Sequence, residues 1–123
     1  MRILVIDDSS AMRAILRKIL AQAGFDVTEA ANGREALESL HESGKPQFVL
    51  VDWNMPEMNG LDFIRAVRAD SQNRDLPIMM ITTETETAQV VRALAAGANE
   101  YVMKPFTKEA ILEKLALLGV TPS

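Results

Sequence analysis

The chain of 123 residues contains no cysteine, one histidine and one tryptophan. The absence of cysteine excludes disulfide bonds, thiolate metal sites and thiol nucleophiles, so any chemistry must come from carboxylates, hydroxyls, amines and one imidazole. No apolar run approaches the roughly 20 residues that a membrane-spanning helix needs. The first apolar run, residues 3–6, meets two aspartates too early for a secretory signal. We therefore expect a cytoplasmic protein without a membrane partner.

Basic residues are in the minority, since 13 Lys and Arg stand against 17 Asp and Glu and the formal net charge is −4. This balance lacks the general attraction to phosphate backbones on which most nucleic-acid binding depends, so we expect no nucleic-acid partner. A chain of this length buries one hydrophobic core rather than two. We expect residues 1–123 to form a single monomeric domain without an output domain.

Short apolar runs alternate with longer segments of helical periodicity along the whole chain. Five runs predict strands, at residues 3–6, 27–30, 48–51, 77–81 and 101–103. Each is followed by a segment in which apolar side chains recur at helical spacing. Five βα units in strict alternation predict an α/β fold with a parallel sheet and helices on both faces, because each parallel crossover needs a helix.

The composition of the runs predicts the position of each strand in the sheet. Runs one, three and four are apolar throughout, as expected for strands covered on both faces. Runs two and five are short and carry Thr28, Glu29 and Glu100, which is typical of edge strands. The predicted fold is therefore a doubly wound sheet in the order 2-1-3-4-5, with ligands beyond the carboxyl ends of the strands. Three methionines in the last two runs are interpreted as strand core: Met79, Met80 and Met103.

The helix after the first run has clear boundary signals. It is predicted to begin after an N-cap in Ser9-Ser10 and to end at Gly24. Its apolar residues indicate a face that packs on the sheet. Three basic side chains fall outside that face and are expected in solvent: Arg13, Arg17 and Lys18.

Polar residues follow the predicted strands at one edge of the sheet. Asp7 and Asp8 come directly after the first strand and Asp52 after the third, while Thr82 and Lys104 follow the fourth and fifth. Three carboxylates in close contact would repel one another or take raised pKa values unless a cation were bound. A small set of oxygen ligands suits Mg²⁺ better than zinc or copper.

The same residues form a complete set for phosphoryl transfer. A carboxylate can attack phosphorus, a divalent cation and an ammonium neutralise the phosphoryl oxygens, and a hydroxyl donates a hydrogen bond to one of them. We predict Asp52 as the nucleophile because it stands alone after the central strand. Asp7 and Asp8 are adjacent in sequence and better placed to hold the metal.

Four motifs resemble the receiver domain of two-component response regulators. They are DDS at residues 7–9, VDWNMPEMNG at 51–60, ITTE at 81–84 and YVMKPF at 101–106, and they span essentially the whole chain in the family's order. The DWNMP segment, together with Glu84 and Tyr101, is most similar to the single-domain chemotaxis regulators of the CheY type. That family is itself an example of the 2-1-3-4-5 order, so the predicted strand order is not independent of the resemblance.

The resemblance implies a phosphorylation-activated switch, not an enzyme that turns over an external substrate. Asp52 would receive a phosphoryl group from a phosphohistidine on a sensor histidine kinase of the chemotaxis type. Mg²⁺ would be held by Asp8 and Asp52, by Asp7 directly or through water, and by the backbone carbonyl of Asn54. Lys104 would contact the phosphoryl group.

The resemblance also implies how phosphorylation is read out. Thr82 would move toward the phosphoryl group and Tyr101 would turn inward, which changes the surface of the fourth helix, fifth strand and fifth helix. Asn54 and Glu84 would tune dephosphorylation, a phosphatase is a further implied partner, and the bond before Pro105 is expected to be cis. The output partner stays open between a flagellar motor switch protein, a histidine phosphotransfer protein in a phosphorelay, and the remainder of a longer regulator.

Two other classes of protein share part of this pattern. A small phosphohydrolase of the haloacid dehalogenase type also uses Asp, Thr, Lys and Mg²⁺, but it requires a second aspartate two residues after the nucleophile. Ser10 and Asn54 stand at those positions after Asp8 and Asp52. A flavodoxin shares the fold but needs a hydroxyl- and glycine-rich loop after the first strand. This chain places two aspartates there, which would repel the phosphate of FMN.

Overall fold

The structure is a computed structural model that describes residues 2–42, 44–82 and 87–121. Within these residues, the five predicted βα units are all present, and a single turn of 3₁₀ helix at Ser71–Asn73 was not predicted. None of the described helices is long and apolar enough to cross a membrane. The elements, in chain order, are β1 (Arg2–Ile6), α1 (Ser10–Gln22), β2 (Asp26–Ala30), α2 (Gly33–Glu42), β3 (Phe48–Asp52), α3 (Gly60–Ala69), β4 (Ile78–Thr82), α4 (Thr87–Ala96), β5 (Glu100–Met103) and α5 (Lys108–Leu117).

The strands form one parallel sheet in the order β2-β1-β3-β4-β5, which confirms the predicted order and both predicted edges. At the carboxyl ends, Ile6 of β1 pairs with Ala30 on one side and with Val51 on the other. On the far side of the sheet, Thr82 pairs with Met103. Residues that follow the strands therefore emerge at the same edge of the sheet, where doubly wound folds bind their ligands.

Helices cover both faces of the sheet. One hydrophobic cluster joins the strands to α2, α3 and α4, and the other joins them to α1 and α5. Met79 and Met80 are fully buried, as predicted, one in each cluster. The prediction for Met103 is wrong, because its side chain is 42% exposed. Met103 is the last residue of β5, an edge strand with a neighbouring strand on one side of it.

The N-terminal turn of α1 explains how the chain leaves the site edge. Ser9 is the N-cap, and its hydroxyl accepts a hydrogen bond from the backbone N–H of Met12 at 3.1 Å. Arg17 and Lys18 are exposed, as predicted. Arg13 is not, because only 18% of its side chain is accessible. Helical side chains point toward the N-terminus of their helix, and the Arg13 guanidinium reaches oxygen acceptors there instead of solvent.

Candidate functional site

Three carboxylates meet at the carboxyl edge of the sheet. Asp7 and Asp8 follow β1 directly, Asp52 ends β3, and one oxygen from each lies within 4.8 Å of the others. Asp7 and Asp52 are only 1% and 3% exposed, whereas Asp8 is open to solvent. The structure therefore brings together the acidic residues that the strand order had placed at one edge.

Lys104 is the positive group of the cluster. Its Nζ atom lies 3.2 Å from Oδ1 of Asp52 and 3.5 Å from Oδ2 of Asp7. The Lys104–Pro105 bond is cis, as the resemblance implied. The backbone N–H of Lys104 donates to the carbonyl of Thr82 at 2.8 Å, and Thr82 is itself buried at the end of β4. Lys104 thus connects the carboxylates to the ends of β4 and β5.

The surroundings of Asp52 raise the pKa of its carboxyl group. Burial is the largest cause, because it removes the carboxylate from water, and repulsion by Asp7 is the second. Lys104 acts in the opposite direction through its charge and its hydrogen bond, and Asp8 adds a smaller repulsion. The position of Asp52 therefore disfavours its charged form unless a further cation binds nearby.

The cluster has the composition of a site for a hard divalent cation. Its ligand groups are carboxylates alone, which magnesium and calcium prefer and which softer metals do not require. Three carboxylates and one ammonium leave a formal charge of −2, which one divalent ion neutralises. Burial, the largest cause of the raised pKa of Asp52, and repulsion by Asp7, the second, would both be offset by a cation bound beside the carboxylates. The residues present fit a bound metal ion.

Gly60 is a part of the site that the sequence reasoning missed. It is the first residue of α3, and its N–H donates to the carbonyl of Trp53 at 3.0 Å. A Cβ at Gly60 would lie 2.5 Å from the backbone oxygen of Asp52 and 2.8 Å from Sδ of Met80, so a larger residue cannot fit without displacing the end of β3. Gly60 is the last residue of the motif VDWNMPEMNG, but nothing in that motif indicates this close approach.

Asp7 is held through its backbone as well as its side chain. Its N–H donates to the carbonyl of Ala30 at 3.2 Å, and its Oδ1 accepts from the N–H of Ser9 at 2.9 Å. Its carbonyl accepts from Nη1 of Arg13 at 2.6 Å. Arg13 is the second functional candidate that sequence reasoning missed, because its helical position alone indicated solvent.

Two further predicted residues, Tyr101 and Asn54, lie within three positions of Lys104 and Asp52 in the chain. Tyr101 in β5 is partly buried against the core, and Nζ of Lys114 lies 5.2 Å from the centroid of its ring. Asn54 is exposed in the loop after Trp53. Glu84 lies outside the described residues. The switch role of Tyr101 and the dephosphorylation roles of Asn54 and Glu84 stay predictions.

The structure is thus a doubly wound α/β domain with two buried carboxylates and an opposed lysine at the carboxyl edge of its sheet, where folds of this class bind their ligands. A family model described as "Response regulator receiver domain" matches residues 3–116. The chain therefore belongs to the response regulator receiver family. This match confirms the resemblance drawn from the motifs and excludes the phosphohydrolase and flavodoxin readings.

Curated relatives place the chain more narrowly, among chemotaxis regulators. It is 49% identical over 119 residues to "Chemotaxis protein CheY1" of Helicobacter pylori (strain ATCC 700392 / 26695), covering 96% of each chain. It is 47% identical over 116 residues to "Chemotaxis protein CheY" of Pseudomonas aeruginosa, covering 94% of this chain and 93% of the relative. The solved structure of chemotaxis response regulator CheY4 of Vibrio cholerae superposes with a TM-score of 0.89 at 38% identity, covering 95% and 97% of the two chains. The chain is a phosphorylation-activated response regulator switch of the chemotaxis type.

Proposed function

We propose that Asp52 accepts a phosphoryl group from the phosphohistidine of a chemotaxis histidine kinase, with Mg²⁺ held by the carboxylate cluster. The observation that supports this most directly is the meeting of Asp7, Asp8 and Asp52 with Lys104 at one edge of the sheet. A buried carboxylate that can act as a nucleophile, two further carboxylates and a lysine ammonium thereby lie in one place. The names of the relatives support the chemotaxis setting.

The proposed metal ligands are the carboxylates of Asp7, Asp8 and Asp52 and the backbone carbonyl of Asn54. The carboxylates fit this role by their chemistry and proximity, and the carbonyl of Asn54 is taken from the family resemblance. When bound, Mg²⁺ supplies positive charge for the oxygens of the transferring phosphoryl group.

In the proposed reaction, a carboxylate oxygen of Asp52 attacks phosphorus. The new O–P bond forms as the P–N bond of the phosphohistidine breaks, and the electron pair of that bond stays on the imidazole nitrogen. Lys104, 3.2 Å from Oδ1 of Asp52, is placed to pair with a phosphoryl oxygen after transfer. The hydroxyl of Thr82 donates a hydrogen bond to another. Attack of water on phosphorus later restores the Asp52 carboxylate and releases inorganic phosphate, and Asn54 and Glu84 tune this step.

The proposed output surface consists of α4, β5 and α5. Lys104 is bonded through its backbone to Thr82, so a pull on its ammonium acts on the ends of β4 and β5 together. Three large apolar side chains are exposed on α4 and β5, as expected for a surface that a protein partner covers: Val91, Leu94 and Met103. We propose a flagellar motor switch protein as that partner, with Tyr101 as the residue that changes position.

A small phosphodonor such as acetyl phosphate tests the phosphoacceptor, because it needs no kinase. Wild-type protein with Mg²⁺ should gain the mass of one phosphoryl group, and the gain should disappear with EDTA or in Asp52→Asn. Asp26→Asn is the matched control, since it removes the same charge at an exposed position in β2 and should be labelled like wild type. Equal labelling of Asp52→Asn and wild type would refute the assignment.

The partner is tested with purified proteins. Phosphorylated and unphosphorylated forms are compared for binding to a flagellar motor switch protein and to a histidine phosphotransfer protein. Tighter binding of the phosphorylated form to the motor switch protein is the expected result. Phosphoryl transfer to the phosphotransfer protein, without a phosphorylation-dependent change in motor switch binding, would overturn the motor assignment and favour a phosphorelay.

A further inference from the structure

Arg13 connects three elements around the loop that carries two of the carboxylates. It belongs to α1, its Nη1 donates to the carbonyl of Asp7 at 2.6 Å, and its Nε donates to Oε1 of Glu29 in β2 at 3.2 Å. The planar guanidinium makes both bonds from fixed positions on one rigid group. One side chain therefore links the first turns of α1 to the end of β1 and to the edge strand β2.

The bond to the Asp7 carbonyl acts on Asp8 through the peptide group between them. In a trans peptide the C=O of one residue and the N–H of the next point in opposite directions, within one plane. Holding the Asp7 oxygen therefore fixes the plane from which the Asp8 backbone continues. The Asp8 side chain is exposed, so packing does not hold it. Its direction toward the cluster depends on this backbone.

We propose that Arg13 is a positioning residue that holds the Asp7–Asp8 peptide in the orientation needed for metal binding. This inference rests on the proposed Mg²⁺ site. Arg13 makes no contact with the metal in this scheme; it acts through the backbone of two ligand residues. Partners that orient metal ligands in this way commonly contribute tenfold or more to metal affinity.

The sign of the effect separates positioning from simple electrostatics. Arg13 carries a positive charge close to an acidic cluster, so its charge alone repels a divalent cation. If charge were its only role, Arg13→Met would strengthen Mg²⁺ binding and Arg13→Lys would leave it unchanged. A positioning role predicts weaker Mg²⁺ binding instead, because both variants lose the rigid two-point contact to Asp7 and Glu29. Both should bind Mg²⁺ more weakly.

Arg17 provides a matched control within the same cluster of charges. Its Nε donates to Oε2 of Glu29 at 2.6 Å, its side chain is 50% exposed, and it makes no hydrogen bond to Asp7 in the described part of the chain. Arg17→Met therefore removes one positive charge and one bond to Glu29 but leaves the Asp7 carbonyl bonded to Arg13. It should change Mg²⁺ affinity by less than about twofold.

The experiment is a Mg²⁺ titration of full-length variants, followed by the fluorescence of Trp53 and by calorimetry. Trp53 is the only tryptophan and follows Asp52 directly, so its emission reports on this site. We expect Arg13→Met and Arg13→Lys to weaken Mg²⁺ binding by about tenfold. Urea unfolding of each variant shows whether the fold is retained. If Arg13→Met does not fold, Arg13→Lys decides the question, because it keeps the charge.

The outcomes distinguish this inference from the proposed function on which it rests. If wild type binds Mg²⁺ and Asp8→Asn does not, the metal site stands. Unchanged or tighter binding in folded Arg13→Lys would then overturn the positioning role alone. If wild type itself binds no Mg²⁺, the proposed metal site fails, and the inference fails with it. Weaker binding in both Arg13 variants, with Arg17→Met near wild type, supports the positioning role.

Discussion

Asp52→Asn should stabilise the metal-free protein although it removes the predicted phosphoacceptor. Asp52 is 3% exposed and lies beside two other carboxylates, so its negative charge is held in an unfavourable place. Asparagine keeps nearly the same shape and leaves an oxygen that can accept the hydrogen bond from Lys104. The substitution therefore removes repulsion and desolvation with little loss of packing.

The size of the effect follows from the distances and the burial in the cluster. Charges at most 4.8 Å apart repel by at least about 3.5 kcal/mol at an effective dielectric constant of about 20, which applies to the buried pair Asp7 and Asp52. Asp8 is open to solvent and adds a smaller repulsion. Lys104, at 3.2 Å, attracts by about 5 kcal/mol on the same scale. Repulsion and attraction therefore nearly cancel, and the net cost comes from burial of the carboxylate, the largest cause of its raised pKa. Burying a polar group at this cost of about 1–3 kcal/mol leads us to expect a gain of about 2 kcal/mol in the free energy of unfolding near neutral pH.

The pH dependence has a defined sign. The pKa of Asp52 is raised in the folded protein above its ordinary value of 3.8. Below pH 3.8 the Asp52 carboxyl group is mostly protonated in both the folded and the unfolded protein, so it does not lower the free energy of unfolding. As pH rises through the pKa of Asp52 in the folded protein, its carboxyl group ionises in an unfavourable place, so the free energy of unfolding of the wild type falls. That of Asp52→Asn does not fall for this reason. The difference in stability should open as pH rises from about 4 toward neutral.

Urea unfolding followed by circular dichroism, in EDTA and at several pH values, measures this difference. Asp26→Asn controls for net charge and should unfold like wild type. Added Mg²⁺ should reduce the difference in stability between the two proteins. A bound ion at 100 times its Kd stabilises the native wild type by about 2.7 kcal/mol, whereas Asp52→Asn lacks one of the carboxylates proposed to bind the ion. A variant no more stable than wild type in EDTA, or a gain that is the same at every pH, would refute the reasoning.

Two other substitutions test the architecture of the site. Gly60→Ala should lower the free energy of unfolding by about 1–3 kcal/mol and slow phosphorylation, because the new Cβ would lie 2.5 Å from the Asp52 carbonyl oxygen. Gly119→Ala is the control, because a Cβ there has no atom within 4 Å and the substitution costs only the backbone strain of a residue at φ +74°. It should keep the wild-type phosphorylation rate, and equal slowing in both variants would contradict the reasoning. Lys104→Met should tighten Mg²⁺ binding, since it removes a cation 3.2 Å from Asp52, yet slow labelling by acetyl phosphate about 100-fold. Fluorescence titration and timed intact-mass measurements check both effects, and a wild-type labelling rate would count against a role in transfer.

Much of the fold and the cluster followed from the sequence because both depend on local patterns. Continuous apolar runs separate buried from edge strands, and strict alternation with helices makes the sheet parallel. Once the strands are parallel, residues directly after them must share an edge. Asp7, Asp52 and Lys104 are distant in sequence, yet their places relative to strand ends were enough to bring them together.

Properties that depend on distances between elements were beyond the sequence pattern. Met103 lies in an apolar run but is exposed, because it ends an edge strand that has a neighbouring strand on one side of it. Arg13 occupies a polar helix position but is mostly buried, because one acceptor just after β1 and another in β2 lie within reach of its guanidinium.

The sequence by itself determined the class of fold, the two edge strands and the residues that meet at the carboxyl edge, since period and strand-end position carry that information. The full strand order was not independent of the family resemblance. Tertiary structure alone decided how those residues are held. The approach of α3 to the Asp52 carbonyl requires Gly60, and the bond from Arg13 fixes the Asp7 carbonyl. Both contacts depend on how separate elements pack, to within a few tenths of an ångström, which no periodicity along the chain specifies.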